Sequence, residues 1–353
     1  MKTDAKILIC YNSPVAVFSI YNGKPDSDNE PSSDLSESGF TKEISKIKKN
    51  LLQNYSEVKT LAIDKNIERT IKEINNYSPD IIFNFVESVE GIAAYEYCMA
   101  GVYQLLDYNF TGNMPATLGN CLNKKRAKNI LRSFGIDTPQ SSVVKISDSF
   151  PDMEFNLSFP VILKLLKEDA SIGISEYSVV KDINSLRKHL KFLQKTYKQD
   201  IMIEEYIEGR ELNAAILGGT VLPLSEINFE GLPEDLPKIV TYDGKWIEES
   251  IYYKHTKPVC PAKVNAKLKN KIEKTALRAY EAMGCRDYAR VDIRVDKNNV
   301  PFVIEINPNP DISKDSGFAR AAQAAGISYD MLLKRIADFA LLREKNDSQN
   351  KAS

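Results

Sequence analysis

A chain of 353 residues exceeds what one hydrophobic core usually organises, so two or three domains are expected. The formal net charge of -1 gives no basic excess for nucleic acid or an anionic membrane, which leaves small-molecule chemistry as the starting expectation. Cys10, Cys98, Cys121, Cys260 and Cys285 are scattered without C-x-x-C spacing, against a disulfide framework or structural zinc, and the chain has neither a signal-like amino terminus nor an apolar run of about eighteen residues, so a soluble cytoplasmic protein is expected.

In chain order, AKILICY at 5–11 reads as a buried first strand, and the acidic KPDSDNEPSSDLSESG at 24–39 as a solvated loop, with a functional lid as the alternative. Thr41 is placed to cap a helix running to 53. VKTLAID at 58–64 and DIIFNFVES at 80–88 follow as strands; strands separated by helices predict a parallel sheet with helices on its faces. After FTG at 110–112 the character changes. NKKRAKNILRSFGIDTP at 123–139 reads as a helix capped by Asn123, with Gly135 past its end. FPVILKLL at 159–166, IMIEEYI at 201–207, ELNAAIL at 211–217, YARVDIRV at 288–295 and PFVIEIN at 301–307 read as strands, and KEDASIGIS at 167–175 as a polar loop. The last helix places Met331, Leu332, Ile336 and Phe339 in the core.

The segment DKNNV suits a hairpin between the last two strands. A register that pairs Asp292 with Glu305 also pairs Arg290 with Asn307, because alternate antiparallel neighbours keep the sum of their numbers constant. One face then carries Arg290, Asp292, Glu305 and Asn307. Two carboxylates and an amide oxygen are hard ligands suited to Mg2+ or Mn2+; a surface Arg and Asp ladder is the bland reading, and the apolar flanking residues argue against it. His189 and His255 belong to no metal-ligand pattern. A phosphate cradle is the next need, and no P-loop or G-x-G-x-x-G occurs. EDASIGIS, after a strand carrying Lys164, offers backbone N–H groups, though a loop with one Gly173 is also an ordinary turn. Lys124 and Lys128 lie i, i+4 on one helix face, as solvent-facing pairs do too.

The order of FTGN, NKKRAK, FPVILKLLKEDASIGIS, IMIEEYIEGREL, KIVTYDGKW, YARVDIRV and VIEINPNPDISKDSGFARAAQAAGIS, over about residues 80–335, resembles the ATP-grasp superfamily in its D-alanine–D-alanine ligase-like branch. The resemblance implies a three-part α/β architecture with ATP between two domains. Its parts would be an N-terminal parallel-sheet domain at 1–113, a central subdomain at 114–203, a C-terminal subdomain with the metal site at 204–345, and a disordered tail at 346–353. It implies a ligase in which ATP phosphorylates a carboxylate and an amine attacks the acyl phosphate.

Carried over by resemblance, Lys124 and Lys164 approach the nucleotide phosphates, and Ser171, Ile172, Gly173 and Ile174 form the loop that closes over them. Glu204, Glu205, Tyr206 and Ile207 hold adenine through their backbone, and Glu211 accepts the ribose hydroxyls. Lys245 lies near the transferred phosphate and the substrate carboxylate. Asp292, Glu305 and Asn307 hold two Mg2+ (or Mn2+) ions, bridged by Glu305. Arg290 stabilises the acyl phosphate and tetrahedral intermediate, and Ser316 binds the second substrate's carboxylate.

Two stretches depart from the pattern. D-alanine–D-alanine ligases carry a glycine pair, a serine and a glutamate after their first strand, and the glutamate holds the first ammonium; here CYNSPVAVFS has neither glycine nor acid. Glu87, Glu90 or Glu96 is the candidate replacement, with helix-end or surface charges as the alternative. A glycine after the metal motif is replaced by Asp311. Three readings stand: a ligase making D-alanyl-D-alanine, the same machinery joining other amino acids or a peptide, and a non-catalytic ATP-binding regulator, against which the intact Arg290 set argues. The expected partners are small amino acids or a peptide, with a homodimer allowed and no nucleic acid or membrane.

Overall fold

The computed structural model describes residues 2–13, 15–25, 40–148 and 156–351, and for 40, 41 and 344–351 the backbone alone. Most of the acidic segment, 26–39, and the side chain of Thr41 therefore lie outside the described residues.

The chain first forms β1 (Thr3–Asn12), α1 (Phe40–Asn54), β2 (Tyr55–Ile63), α2 (Ile67–Tyr77) and β3 (Ile81–Phe85). The strands pair in parallel in the order β2-β1-β3, as their separation by helices predicts. β3 is buried throughout, which explains its apolar run, interrupted by Asn84, whose backbone N–H donates to Thr111 Oγ1 at 3.0 Å. Two helices follow, α3 (Tyr95–Leu105) and α4 (Pro115–Leu122).

The second region holds α5 (Lys124–Ser133), β4 (Ser141–Val144), β5 (Val161–Leu165), β6 (Val179–Val180), α6 (Ile183–Tyr197) and β7 (Ile201–Glu205). Its sheet is antiparallel, ordered β4-β7-β5-β6. Asn123 caps α5 by accepting the Arg126 N–H at 3.0 Å, and Gly135 takes φ 65° just beyond the helix. The strand expected over 201–207 stops at Glu205, where the chain crosses to the third region: the Tyr206 N–H donates to the Pro160 carbonyl at 3.0 Å.

The third region holds β8 (Arg210–Leu217), β9 (Thr220–Val221), β10 (Ser225–Asn228), α7 (Tyr242–Trp246), α8 (Ile251–His255), β11 (Lys257–Val259), α9 (Ala266–Ala282), β12 (Tyr288–Val295), β13 (Pro301–Asn307), α10 (Gly317–Ala324) and α11 (Tyr329–Lys351). Its antiparallel sheet runs β11-β10-β8-β12-β13. α10 and α11 return to the first sheet: Phe318, Leu332 and Ile336 share one apolar core with Ile7, Ile9 and Phe83. The segment just after β13 meets the first region, where Asn113 Nδ2 donates to the Pro308 carbonyl. The residues expected as a tail, 346–353, continue α11 as helical backbone to Lys351, and the last two lie outside the described residues. Among the described residues no helix is long and apolar enough to cross a membrane.

One core expectation fails. Met331 is 39% exposed, whereas Leu332, Leu333, Ile336, Ala337 and Ala340 are buried. The true stripe is phased one residue later, and a one-residue step turns a helical side chain by about 100°. Phe339 packs on the edge of that core.

The buried His189 of α6 gives the fold a pH dependence. It is 5% exposed and stacks on Phe192, with ring centroids 5.9 Å apart. Burial pushes its imidazole down from the ordinary 6.5 to about 4. The unfolded chain therefore takes up the proton first; stability is complete above pH about 6.5 and falls by roughly 3 kcal/mol as pH drops to about 4. Urea unfolding across that range should show the loss, and His189→Phe should remove this component; an unchanged pH slope in the variant would contradict it.

Candidate active site

The hairpin of β12 and β13 has the register read from the sequence: Arg290 faces Asn307 and Asp292 faces Glu305. Beyond Asp292 the register shifts, with Ile293 opposite Val303. Such an irregularity confines the polar ladder to one end of the hairpin. Asp292 is the hub. Arg290 donates to both its oxygens, Nε to Oδ1 at 2.7 Å and a terminal nitrogen to Oδ2 at 2.8 Å. Asn307 Nδ2 donates to Oδ2 at 3.1 Å, and Asn213 Nδ2 to Oδ1 at 2.8 Å. Asn213 stands opposite Asp292 on the adjoining β8 and was not singled out in the sequence. The signal was there, because Glu211 and Asn213 are two apart in a strand and share a face. The guanidinium of Arg290 loses hydration but is held above its ordinary pKa by Asp292 first and then Glu305.

Lysines surround Glu305. Lys124 opens α5 with its Nζ 3.0 Å from Glu305 Oε1 and 2.8 Å from Asp169 Oδ1, and donates to the Glu168 carbonyl at 2.6 Å. Loss of water opposes its charge, but Asp169 and Glu305 outweigh that and raise its pKa. Burial pushes Glu305 up, yet Lys124, Lys164 and Lys245 hold it well below the usual carboxylate range. Lys245, on α7, is solvent-accessible on the cleft wall; dehydration by the surrounding protein, and then Arg290, lower its pKa.

A second charged group lies deeper. Glu204 is 1% exposed and pairs with Lys128 at 2.8 Å and with Lys164. Burial disfavours the carboxylate, but the two lysines keep its pKa below the ordinary value. Lys128, itself 1% exposed, also donates to Thr138 Oγ1 at 3.0 Å. The solvent-facing reading of the Lys124 and Lys128 pair is thereby overturned: α5 packs its Lys128 face onto β7 and β13. Lys164, expected at the phosphates, divides its place between the cleft wall and Glu204.

The loop at 167–175 roofs the cleft. Ser171, Ile172 and Ile174 line the cavity, whose volume is about 800 Å³. Gly173 does not; its N–H donates to the Tyr21 carbonyl at 2.7 Å, and the N–H groups of Ile172 and Ile174 go to Asp169 and Ser171 carbonyls at 3.0 Å each. The expected cradle of N–H groups is thus occupied at these three residues by the loop itself and by the segment after β1. That segment is a strap. Ser175 Oγ donates to the Gly23 carbonyl at 3.1 Å, Tyr21 stacks on Tyr242 at 5.9 Å, and Lys24 pairs with Asp243 at 2.8 Å and Glu176 at 3.2 Å. Gly23 has φ +70°, and a Cβ there would lie 2.3 Å from the Gly173 carbonyl oxygen. Gly23→Ala should therefore loosen the roof at a cost of roughly 1–3 kcal/mol, raising about tenfold the KM for the ATP that the sequence resemblance implies, with little change in global melting. An unaltered KM for ATP would show that the strap does not order the roof.

Glu205, Tyr206 and Ile207 form the connector along the cleft. Glu211 is buried against Arg294, whose terminal nitrogen donates to Glu211 Oε2 at 2.9 Å; burial outweighs Arg294 and raises the carboxyl's pKa. Arg294 also lies over the Tyr206 ring at 4.9 Å, a role the sequence did not reveal. Ser316 caps α10, its Oγ accepting the Ala319 N–H at 3.2 Å. Of the candidate acids, Glu87 and Glu96 line the cleft, whereas Glu90 does not and sits 3.9 Å from Lys65.

An α/β frame of one parallel and two antiparallel sheets carries a cleft walled by carboxylates, an amide, an arginine and lysines, the arrangement that the resemblance to ATP-grasp enzymes implies. Residues 130–338 match the family model for the D-ala D-ala ligase C-terminus. The chain is 34% identical over 263 residues to the protein y4sG of Sinorhizobium fredii, covering 74% of each chain. It is 32% identical over 243 residues to a D-alanine–D-alanine ligase of Nitrosomonas eutropha, covering 68% of this chain and 74% of that one. The crystal structure of the D-alanine–D-alanine ligase of Bacillus anthracis complexed with ATP superposes with a TM-score of 0.72 at 23% identity, over 97% of this chain and 99% of that one, which shows the fold. The chain belongs to the D-alanine–D-alanine ligase family and is an ATP-dependent ligase.

Proposed function

We propose that this enzyme joins the carboxylate of one small amino acid to the amine of another through an acyl phosphate, and that D-alanyl-D-alanine is its product. The observation that carries the reading is the paired face of Arg290, Asp292, Glu305 and Asn307, with Lys245 across the cleft. A donor carboxylate oxygen attacks the γ-phosphorus and ADP leaves. The acceptor amine then attacks the acyl carbon, loses a proton, and phosphate departs with the donor's oxygen. Arg290, held flat by two bonds to Asp292, faces the charge that develops on the acyl phosphate and tetrahedral oxygen. Lys124, Lys164 and Lys245 serve the phosphates, Glu211 and the backbone of 204–207 the nucleoside, and Ser316 at the start of α10 the acceptor carboxylate.

The residues present fit magnesium. Among the described residues no group of three or more His, Cys, Asp or Glu is arranged to hold a metal. Two carboxylates and an amide instead leave coordination positions to water and phosphate oxygens, the habit of magnesium. Asp292, Glu305 and Asn307 would hold two ions, whose chemistry is to neutralise phosphate charge. Lys124 Nζ lies 3.0 Å from Glu305 Oε1, beside that site. Three separate sheets support the division at about residues 113 and 203, and we place the enzyme in the cytoplasm. Phosphate release that requires an added amine acceptor is the expected behaviour; ATP binding without it would favour a regulator.

A further inference from the structure

The motif NPNP at 307–310 contains an asparagine that metal binding does not use. Asn309 is oriented by the buried Tyr288, whose hydroxyl donates to Asn309 Oδ1 at 3.0 Å. Its Nδ2 donates to Glu96 Oε1 at 3.2 Å. Glu96 stands in the first turn of α3, so this bond joins the first region to the end of β13 across the cleft.

The surroundings ill suit a carboxylate. Val17 and Phe85 line the same cavity, and the turn at Gly91 packs so closely beneath Val17 that a Cβ on Gly91 would lie 2.4 Å from Val17 Cγ1. Burial, and then the neighbouring Glu87, push the Glu96 carboxyl well above its ordinary range, while Asn309 offsets this only in part. Asn309 supplies only a neutral donor to a carboxyl whose charged form is disfavoured there, so a cation arriving beside Glu96 stabilises that charge in a poorly hydrated corner. Asn309 is two residues from Asn307, so their Cα atoms are at most about 7 Å apart, and a small amino acid fits between the groups they position.

We propose that Glu96, with Glu87, selects the donor by holding a cationic amine on the molecule whose carboxylate is activated at Arg290. The donor is therefore a free amino acid; a simple carboxylic acid lacks the group these acids need. This rests on the ligase reading. The cleft is the one already described, and Glu96 is its specificity determinant.

The test isolates the donor by using hydroxylamine as a saturating acceptor and following hydroxamate and phosphate with D-alanine, L-alanine, glycine and propionate. Glu96→Gln keeps an oxygen that accepts from Asn309, so it removes charge and preserves the contact. The expected result is a rise of about 10- to 100-fold in the KM for the best amino acid, with the KM for ATP and the melting temperature nearly unchanged. Propionate should be a poor donor for the wild type and no worse for the variant. Glu96→Asp should recover part of the loss, which a purely structural role would not require. An unchanged donor KM in Glu96→Gln, or propionate matching the amino acids in the wild type, overturns the proposal. Absence of hydroxamate from every donor with the wild type overturns the ligase reading, and the proposal with it.

Discussion

Replacement of Glu305 by Gln is expected to lower kcat by about a thousandfold or more while the protein folds normally. Glu305 is the acid that would face both cations, and losing one full negative charge there removes several kcal/mol of stabilisation from a site that must gather phosphates. The fold should survive because Lys124, its partner at 3.0 Å, keeps Asp169 at 2.8 Å. Phosphate release at saturating ATP, magnesium and amino acid, beside a thermal melt, separates the two effects. Near-normal turnover would contradict the proposed role of Glu305 in holding metal.

Arg290→Lys should cost about 10²- to 10³-fold in kcat with a smaller change in the KM for ATP. The side chain is bound to Asp292 through two nitrogens at 2.7 and 2.8 Å, which fixes the plane of the guanidinium and aims its remaining N–H groups. An ammonium keeps the charge and loses that fork. An interaction made in the transition state appears in kcat. Full activity of the lysine variant would mean that Arg290 only braces Asp292.

The hairpin of β12 and β13 was legible because strand pairing is arithmetic: once the turn is placed, the partners of Arg290 and Asp292 follow. Glu204 was not. Its backbone position fitted the connector, but its side chain is trapped between Lys128 and Lys164, and that depends on α5 lying over the second sheet. Lys128 misled for the same reason, since spacing identifies a face and not what covers it. Asn213 shares a strand face with Glu211 in the sequence, but its place beside Asp292 depends on the pairing of β8 with β12, a contact between distant segments. The strap from Val15 to Lys24 was hidden by a missing motif. Its residues have turned from the pattern expected after the first strand to bracing the roof through Tyr21 and Gly23. Met331 erred by a single step of helical phase, the smallest error a pattern of about 3.6 residues permits.

The central claim is that a carboxylate is phosphorylated before an amine attacks it. Donor amino acid carrying heavy oxygen in its carboxylate tests this directly, with phosphate and dipeptide analysed by mass after turnover with ATP and magnesium. The account predicts one labelled oxygen in each phosphate released and one dipeptide for each phosphate. Dipeptide accompanied by unlabelled phosphate would contradict it.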